Sequence, residues 1–203
     1  MRAVVKYGRQ PGNVAVQEVA EPTISPEQVL VEVGAVGVCG SDIHLWHENQ
    51  SWTIQCPVIL GHEWAGTIVD VGENVAGWTV GERVAVETAA FVCGRCSYCL
   101  TGAYHMCPHR KGYGNLIDGA MTKYVAVRPD ILHRIPRGVS FEHAALTGER
   151  IIQGAGMRAV VLIVDPHRAP AAAALVGITA VWGIAKVKHA QSLRAGIQKL
   201  VKK

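Results

Sequence analysis

Along the first third of the chain, short runs of β-branched residues alternate with Gly, Pro and Asn. Ala3–Lys6, Val14–Val19 and Val29–Val36 are such runs, and the spacing predicts strands joined by turns, as in hairpins or a barrel. Gly66–Val71 and Arg83–Val86, linked by the turn-rich Gly72–Gly81, continue the pattern, and Tyr124–Val127 and Ile131–Ile135 resume it. Helical signals are few. Cys39–Trp46 reads as a helical turn after the third strand. Phe141–Leu146 reads as a short helix, with Ser140 and His143 in the positions of an imperfect capping box. Residues 91–112 show no periodicity but are dense in Cys, Gly and His, so something other than an apolar core must organise them.

Beyond Glu149 the pattern changes. Val160–Val164 is continuously apolar, as in a strand covered on both faces, and Pro170–Val176 favours a helix opening with proline. Val187, Ala190, Leu193, Ile197, Leu200 and Val201 recur at helical spacing. Charge marks the same join: residues 1–150 carry 12 Lys+Arg against 15 Asp+Glu, whereas residues 151–203 carry 8 against 1. Two domains are therefore expected, 1–149 and 150–203. The basic tail has one aromatic, Trp182, so a solvated helix face is expected rather than a nucleic-acid partner.

At 49% hydrophobic and 18% charged residues, the chain is set apart from the disordered class. The longest uncharged stretch, Ala169–Ala185, is broken by Pro170, Gly177 and Gly183 and falls short of a membrane span, so a buried helix and strand are expected and no membrane partner. Met1–Gly8 has no apolar core of the secretory kind, and a cytoplasmic location follows as the expectation. In a reducing compartment, clustered cysteines bind metal more often than they form disulfides.

Cys93, Cys96, Cys99 and Cys107 have the spacing C-x2-C-x2-C-x7-C. Four thiolates satisfy a tetrahedral zinc, and two-residue gaps let successive ligands wrap one ion. Pro108 after Cys107 also fits an iron–sulfur run, but that run has a gap of three before its last cysteine. Zinc is the expected ion and its role structural, because all four positions are filled. A second set is Cys39, at the end of a strand-like run, with His62 and Glu63. Thiolate, imidazole and carboxylate are the ligand types of a zinc with one open position. In a regular strand His62 and Glu63 would face opposite ways. Both reach one ion only if the chain turns there; otherwise Glu63 stands behind the ligands.

With both sets in view, residues 1–149 resemble the zinc-containing medium-chain alcohol and polyol dehydrogenases, most closely the sorbitol-type branch. The shared motifs are Gly37-Val38-Cys39-Gly40-Ser41-Asp42-Ile43-His44, Gly61-His62-Glu63 with Gly66, Val80-Gly81-Glu82-Arg83-Val84 and the four-cysteine lobe. Asp118-Gly119-Ala120 to Val127 and Ala144-Ala145-Leu146-Thr147 also match. The resemblance implies a mainly β, chaperonin-10-like (GroES-like) barrel with short helices, followed by a Rossmann domain. It implies that Cys39 and His62 bind a catalytic zinc, with Glu63 and Glu149 the carboxylates at or near it. Ser41 is implied as the hydroxyl that takes the substrate proton, and His44 as the relay to solvent. Cys56 matches no ligand and reads as packing or a free thiol.

The same resemblance implies an alcohol or polyol substrate and NAD or NADP. Gly154-Ala155-Gly156-Met157-Arg158-Ala159 fits G-x-G-x-x-A, and Asp165 is the candidate ribose-binding acid, favouring NAD, while His167 and Arg168 would accept the phosphate of NADP. Asp165 lies nine residues after Gly156 where the fingerprint expects about 20, so residues 150–203 are expected to form a truncated Rossmann-like remnant. Two readings follow. One is a zinc- and nicotinamide-dependent alcohol or polyol dehydrogenase, with a second copy of the chain as a candidate partner. The other is a non-catalytic, zinc-stabilised barrel acting as a binding module.

Overall fold

In the computed structural model, residues 1–146 are described in full, together with the backbone of 160–164 and 178–182. Glu149, Gly154, Gly156 and Asp165, the helix expected over 170–176 and the terminal helical pattern lie outside the described residues.

The expected strands form two antiparallel sheets. Strand β1 (Arg2–Lys6) pairs with β2 (Val14–Glu18) and with the two-residue β4 (Val58–Ile59), which no sequence pattern announced. The larger sheet is built on β3 (Val29–Val38). On one side β3 pairs with β5 (Glu63–Val71), which leads through β6 (Arg83–Val86) to β8 (Leu132–Arg134). On its other side β3 is shared: Val29–Glu32 pair with β7 (Tyr124–Val127), and Val36–Val38 pair with β9 (Val160–Val164). Strand β9 in turn pairs antiparallel with β10 (Ile178–Trp182). The strand expected at 160–164 is present, and it joins the barrel's sheet as half of a hairpin.

Period-two alternation gives the larger sheet two apolar faces of different kind. Val36, Trp64 and Val86 stand in register across β3, β5 and β6, and all three are fully buried in the main core with Val4, Val31 and Ile68. One residue along, Ala35, Ala65 and Ala85 are paired across the same strands and offer a shallow seat on the opposite face. The helix α3 (Phe141–Ala145) rests there through Ala144 and Ala145, started by Ser140, whose Oγ accepts a hydrogen bond from the His143 amide.

Two helices concern the site. Helix α1 (Gly40–His47) follows β3 directly and ends at Glu48, which takes a left-handed φ of 52°. The fully buried Lys6 holds Glu48 in place with a 2.6 Å ion pair, which also keeps the Glu48 carboxyl below its usual range. Helix α2 (Ser97–Leu100) is a single turn within the aperiodic segment, and none of its residues is buried. Among the described residues no helix is long and apolar enough to cross a membrane.

Candidate active site

The end of β3 and the start of β5 bring the first donor set together. Cys39 is the N-cap of α1, and its amide donates to Asp42 Oδ2 at 2.9 Å. Gly61, at a φ of +95°, turns the chain immediately before His62 and Glu63, a conformation that L side chains rarely adopt. The turn is clamped from outside by residues 119–121, whose backbone amides donate hydrogen bonds to the carbonyls of Ile59, Gly61 and Leu60. As a result one ligand atom from each of Cys39, His62 and Glu63 lies within 4.8 Å of the others. The sequence left open whether His62 and Glu63 could face one ion; the turn at Gly61 precedes both, and their donor atoms lie together with that of Cys39.

This donor set fits a zinc ion. Ligand bonds of about 2.0–2.3 Å in a tetrahedron put the donors roughly 3.3–3.8 Å apart, so only small side-chain shifts are needed. A glycine makes the room: a Cβ at Gly37 would stand 2.8 Å from Glu63 Oε2 and 3.2 Å from Glu63 Cβ. Any side chain there would collide with the carboxylate.

Asp42 is the residue that sequence reasoning missed. Its Oδ2 holds the Cys39 amide, and its Oδ1 faces His62 Nδ1 at 3.6 Å, so one buried carboxylate orients both donors. The signal was available, because Asp42 lies inside the Cys39–His44 motif at the third position of the helix, where an acid caps the amides. Burial raises the Asp42 pKa, opposed by the His62 charge. Burial pulls His62 the other way, but Asp42 and the Cys39 sulfur prevail and raise its pKa to about 10. A carboxylate behind a ligating imidazole fixes its tautomer and strengthens its basicity.

A cavity of about 590 Å³ opens beside these groups, lined among others by Cys39, Ser41, His44, His62, Arg110 and Tyr113. Ser41 Oγ lies 3.2 Å from His62 Nε2. His44, one turn further on the same helix, is exposed, with Nδ1 2.9 Å from Asn49 Oδ1 and its ring edge-on to Trp52. Both line the cavity, and among the described residues no hydrogen bond joins Ser41 to His44.

The second donor set is the lobe between Phe91 and Lys111, whose backbones bridge and close it off from the barrel. Cys96 Sγ is 3.5 Å and Cys93 Sγ 3.9 Å from Cys99 Sγ, and one sulfur from each of Cys93, Cys96, Cys99 and Cys107 falls in a single group. Those separations match the roughly 3.8 Å edge of a zinc–thiolate tetrahedron. The backbone amides of Arg95 and Cys96 hold the Cys93 thiol below its usual range, whereas burial and the neighbouring Cys96 sulfur raise that of Cys99 to about 12. All six cysteines are free of disulfides, and Cys56 packs against the main core, as the sequence indicated.

Comparison with known proteins adds lineage to this geometry. The Alcohol dehydrogenase GroES-like domain family matches residues 25–137. Sorbitol dehydrogenase from Halalkalibacterium halodurans is 48% identical over 147 residues, which cover 72% of this chain and 42% of that protein. D-arabitol-phosphate dehydrogenase from Enterococcus avium is 40% identical, again over 72% of this chain and 42% of its own. The crystal structure of galactitol-1-phosphate dehydrogenase from Escherichia coli superposes with a TM-score of 0.65 at 31% identity, covering 72% of this chain and 41% of that one. The chain thus spans about two fifths of the length of the relatives it matches. The family match takes in both donor sets and more than half of the sequence, and on that ground the chain belongs to the alcohol dehydrogenase GroES-like domain family.

Proposed function

We propose that residues 1–149 form the zinc-binding catalytic domain of a dehydrogenase that oxidises an alcohol or polyol by hydride transfer to NAD(P). The observation that carries this reading is the convergence of Cys39, His62 and Glu63 beside the cavity that Ser41 and His44 line. Zinc held by those three residues would supply the Lewis acidity that makes a substrate hydroxyl acidic. The chain's own groups do the rest. Gly37 and Asp42 hold the ligands in position. Ser41 Oγ sits where it can accept the hydroxyl proton. With His44 Nδ1 donating to Asn49 Oδ1, Nε2 is left as the basic nitrogen that would pass the proton to solvent, a water carrying it across from Ser41, to which no hydrogen bond joins His44 among the described residues. The four-cysteine lobe holds a second, structural zinc. Residues 150–203, with Gly154, Gly156 and Asp165, are the candidate nucleotide-binding part, and Glu149 is a candidate fourth neighbour of the catalytic ion. The substrate is a small alcohol or polyol in a reducing, cytoplasmic setting, with neither nucleic acid nor membrane as a partner.

The antiparallel hairpin of β9 and β10 favours a second reading, a zinc-stabilised barrel without dehydrogenase activity, because dinucleotide-binding units run their strands parallel. One experiment separates the two. Zinc-loaded protein, verified at two ions per chain, is titrated with NADH and NADPH and assayed for polyol oxidation. Saturable quenching together with turnover supports the dehydrogenase; two bound zinc ions without either response favour the inert barrel.

A further inference from the structure

Among the described residues Glu48 is the one residue other than glycine with a positive φ, and it closes α1 at a place where a left-handed residue is usually glycine. Such a conformation persists only where its surroundings hold it, so the reason for a glutamate here lies in its side chain. Oε2 of that side chain takes the ammonium of the fully buried Lys6, on β1, at 2.6 Å, and Oε1 accepts from Gln50 Nε2 at 3.3 Å. Lys6 Nζ also donates to the Gln10 carbonyl at 3.5 Å. The Gly12 amide donates to the Trp46 carbonyl at 2.8 Å, so the β1–β2 hairpin grips the end of α1 at two points.

What the grip holds is the chain reversal beneath His44. The Asn49 amide returns to the His44 carbonyl at 3.2 Å, and Asn49 Oδ1 meets His44 Nδ1 at 2.9 Å. Both side chains are exposed, and a hydrogen bond between two exposed, freely turning groups gains little over water. It holds only where the backbone delivers Asn49 to the ring, and the residue that sets this direction is Glu48.

We propose that Lys6 and Glu48 are positioning residues for the proton relay: their ion pair holds the left-handed turn that presents Asn49 to His44, which keeps the ring proton on Nδ1 and leaves Nε2 as the basic nitrogen. This rests on the reading of His44 as the relay. Neither Lys6 nor Glu48 is among the residues lining the cavity, so the effect passes through Asn49.

The test reads the tautomer. The zinc-loaded full chain is labelled with heavy-nitrogen histidine, and long-range proton–nitrogen spectra at about pH 8.5, above the usual histidine range, show which ring nitrogen of His44 is protonated. Loss of signals in His44→Gln assigns them. The ratio of Nδ1–H to Nε2–H in the parent should exceed that in Asn49→Ala, which lacks the acceptor, by about tenfold, the upper end for one neutral hydrogen bond. Lys6→Met/Glu48→Gly leaves no buried charge unpaired and gives the backbone the residue it prefers, so a pair that merely ends a helix would be replaced without effect. For a positioning pair, the ratio should instead fall most of the way to the Asn49→Ala value, with two zinc ions still bound. Lys6→Met/Glu48→Gln keeps the side-chain lengths without the ion pair; it should lower the ratio likewise, and it serves where the glycine variant does not fold. The proposal is overturned if a folded double variant keeps the parent's ratio, or if His44 of the parent carries its proton on Nε2. A ratio that falls as expected, with polyol oxidation equally fast in the parent and in His44→Gln, upholds the positioning of the ring and strikes only its reading as the relay.

Discussion

The cysteine lobe and the cleft hold comparable sets of donor atoms by opposite means. In the lobe all four sulfurs come from residues 93–107, the two short helical turns at Ser97–Leu100 and Tyr104–Met106 bury none of their residues, and Leu100 and Met106 are mostly exposed. Little apolar packing is left to hold that segment if its sulfurs separate. In the cleft the donors come from two segments more than twenty residues apart, and the barrel brings them together: Cys39 and Glu63 are buried, Gly61 is clamped by residues 119–121, and Asp42 ties both segments from behind. A metal in the lobe would organise the chain, whereas a metal in the cleft would be received by a site the chain has already organised.

The largest test of that contrast is Cys96→Ser. Because a structural zinc supplies folding energy outright, the lobe is expected to lose its ion, and residues 91–111 should become cleavable by protease many times faster than in the parent chain. Metal analysis should fall from two zinc ions per chain to one, with the barrel's circular dichroism unchanged. Loss of both ions would show that lobe and cleft are one cooperative unit and break the contrast.

Gly37→Ala attacks the cleft alone. The new Cβ would meet Glu63 Oε2 at 2.8 Å and Glu63 Cβ at 3.2 Å, with the Glu63 carbonyl at 3.5 Å, so the carboxylate must give way. Zinc affinity at the cleft, measured by competition with a chromophoric chelator, should drop by about 100-fold while the lobe keeps its ion. Asp42→Asn is a milder change. It keeps an acceptor for the Cys39 amide but withdraws the negative charge facing His62, and cleft affinity should fall by about tenfold, at the lower end of what losing such a partner costs. If neither variant distinguishes the two ions, the cleft is not preorganised in the way described.

These targets also show what was legible in the sequence. The lobe could be read outright, because its ligands are close in the chain and their spacing is the geometry. Most strands were nearly as plain, since β-branched runs between turn residues write their boundaries to within a residue or two, as at Val29–Val38 and Arg83–Val86, but β4 carried no pattern and β5 begins three residues before the expected Gly66–Val71. The cleft's donors were legible as residue types, but their convergence was not, because it depends on a backbone turn at Gly61 and on a clamp from residues 119–121. Gly37 belonged to a recognised motif, yet its purpose, clearance for Glu63 on the neighbouring strand, exists only once β3 and β5 are paired. Asp42 escaped for a related reason. A lone acid has many surface uses, and only its burial between the Cys39 amide and His62 singles it out.

The smallest effect is expected at the seam between the two regions. Tyr104 is one of the lobe's polar contacts with the barrel, beside that of Arg110 with Thr88: its hydroxyl lies 2.8 and 3.0 Å from the two oxygens of the buried Glu87, which also meets His133 Nε2 at 2.6 Å. Burial, followed by the Glu87 hydrogen bond and charge, raises the Tyr104 pKa to about 12. A phenol whose folded pKa exceeds its unfolded value near 10 stabilises the docked lobe fully below about pH 10, and that stabilisation fades as pH rises through about 12. Tyr104→Phe should therefore cost about 1 kcal/mol of lobe docking at neutral pH, the low end for a half-exposed hydrogen bond to a charged group, and should abolish the alkaline step. Hydrogen exchange of residues 91–111, followed from pH 7 to the alkaline limit, measures both. A lobe that loosens equally in parent and variant above pH 10 would place the docking energy in the Phe91–Lys111 bridge instead, and would make the seam a backbone feature like the cleft's own clamp.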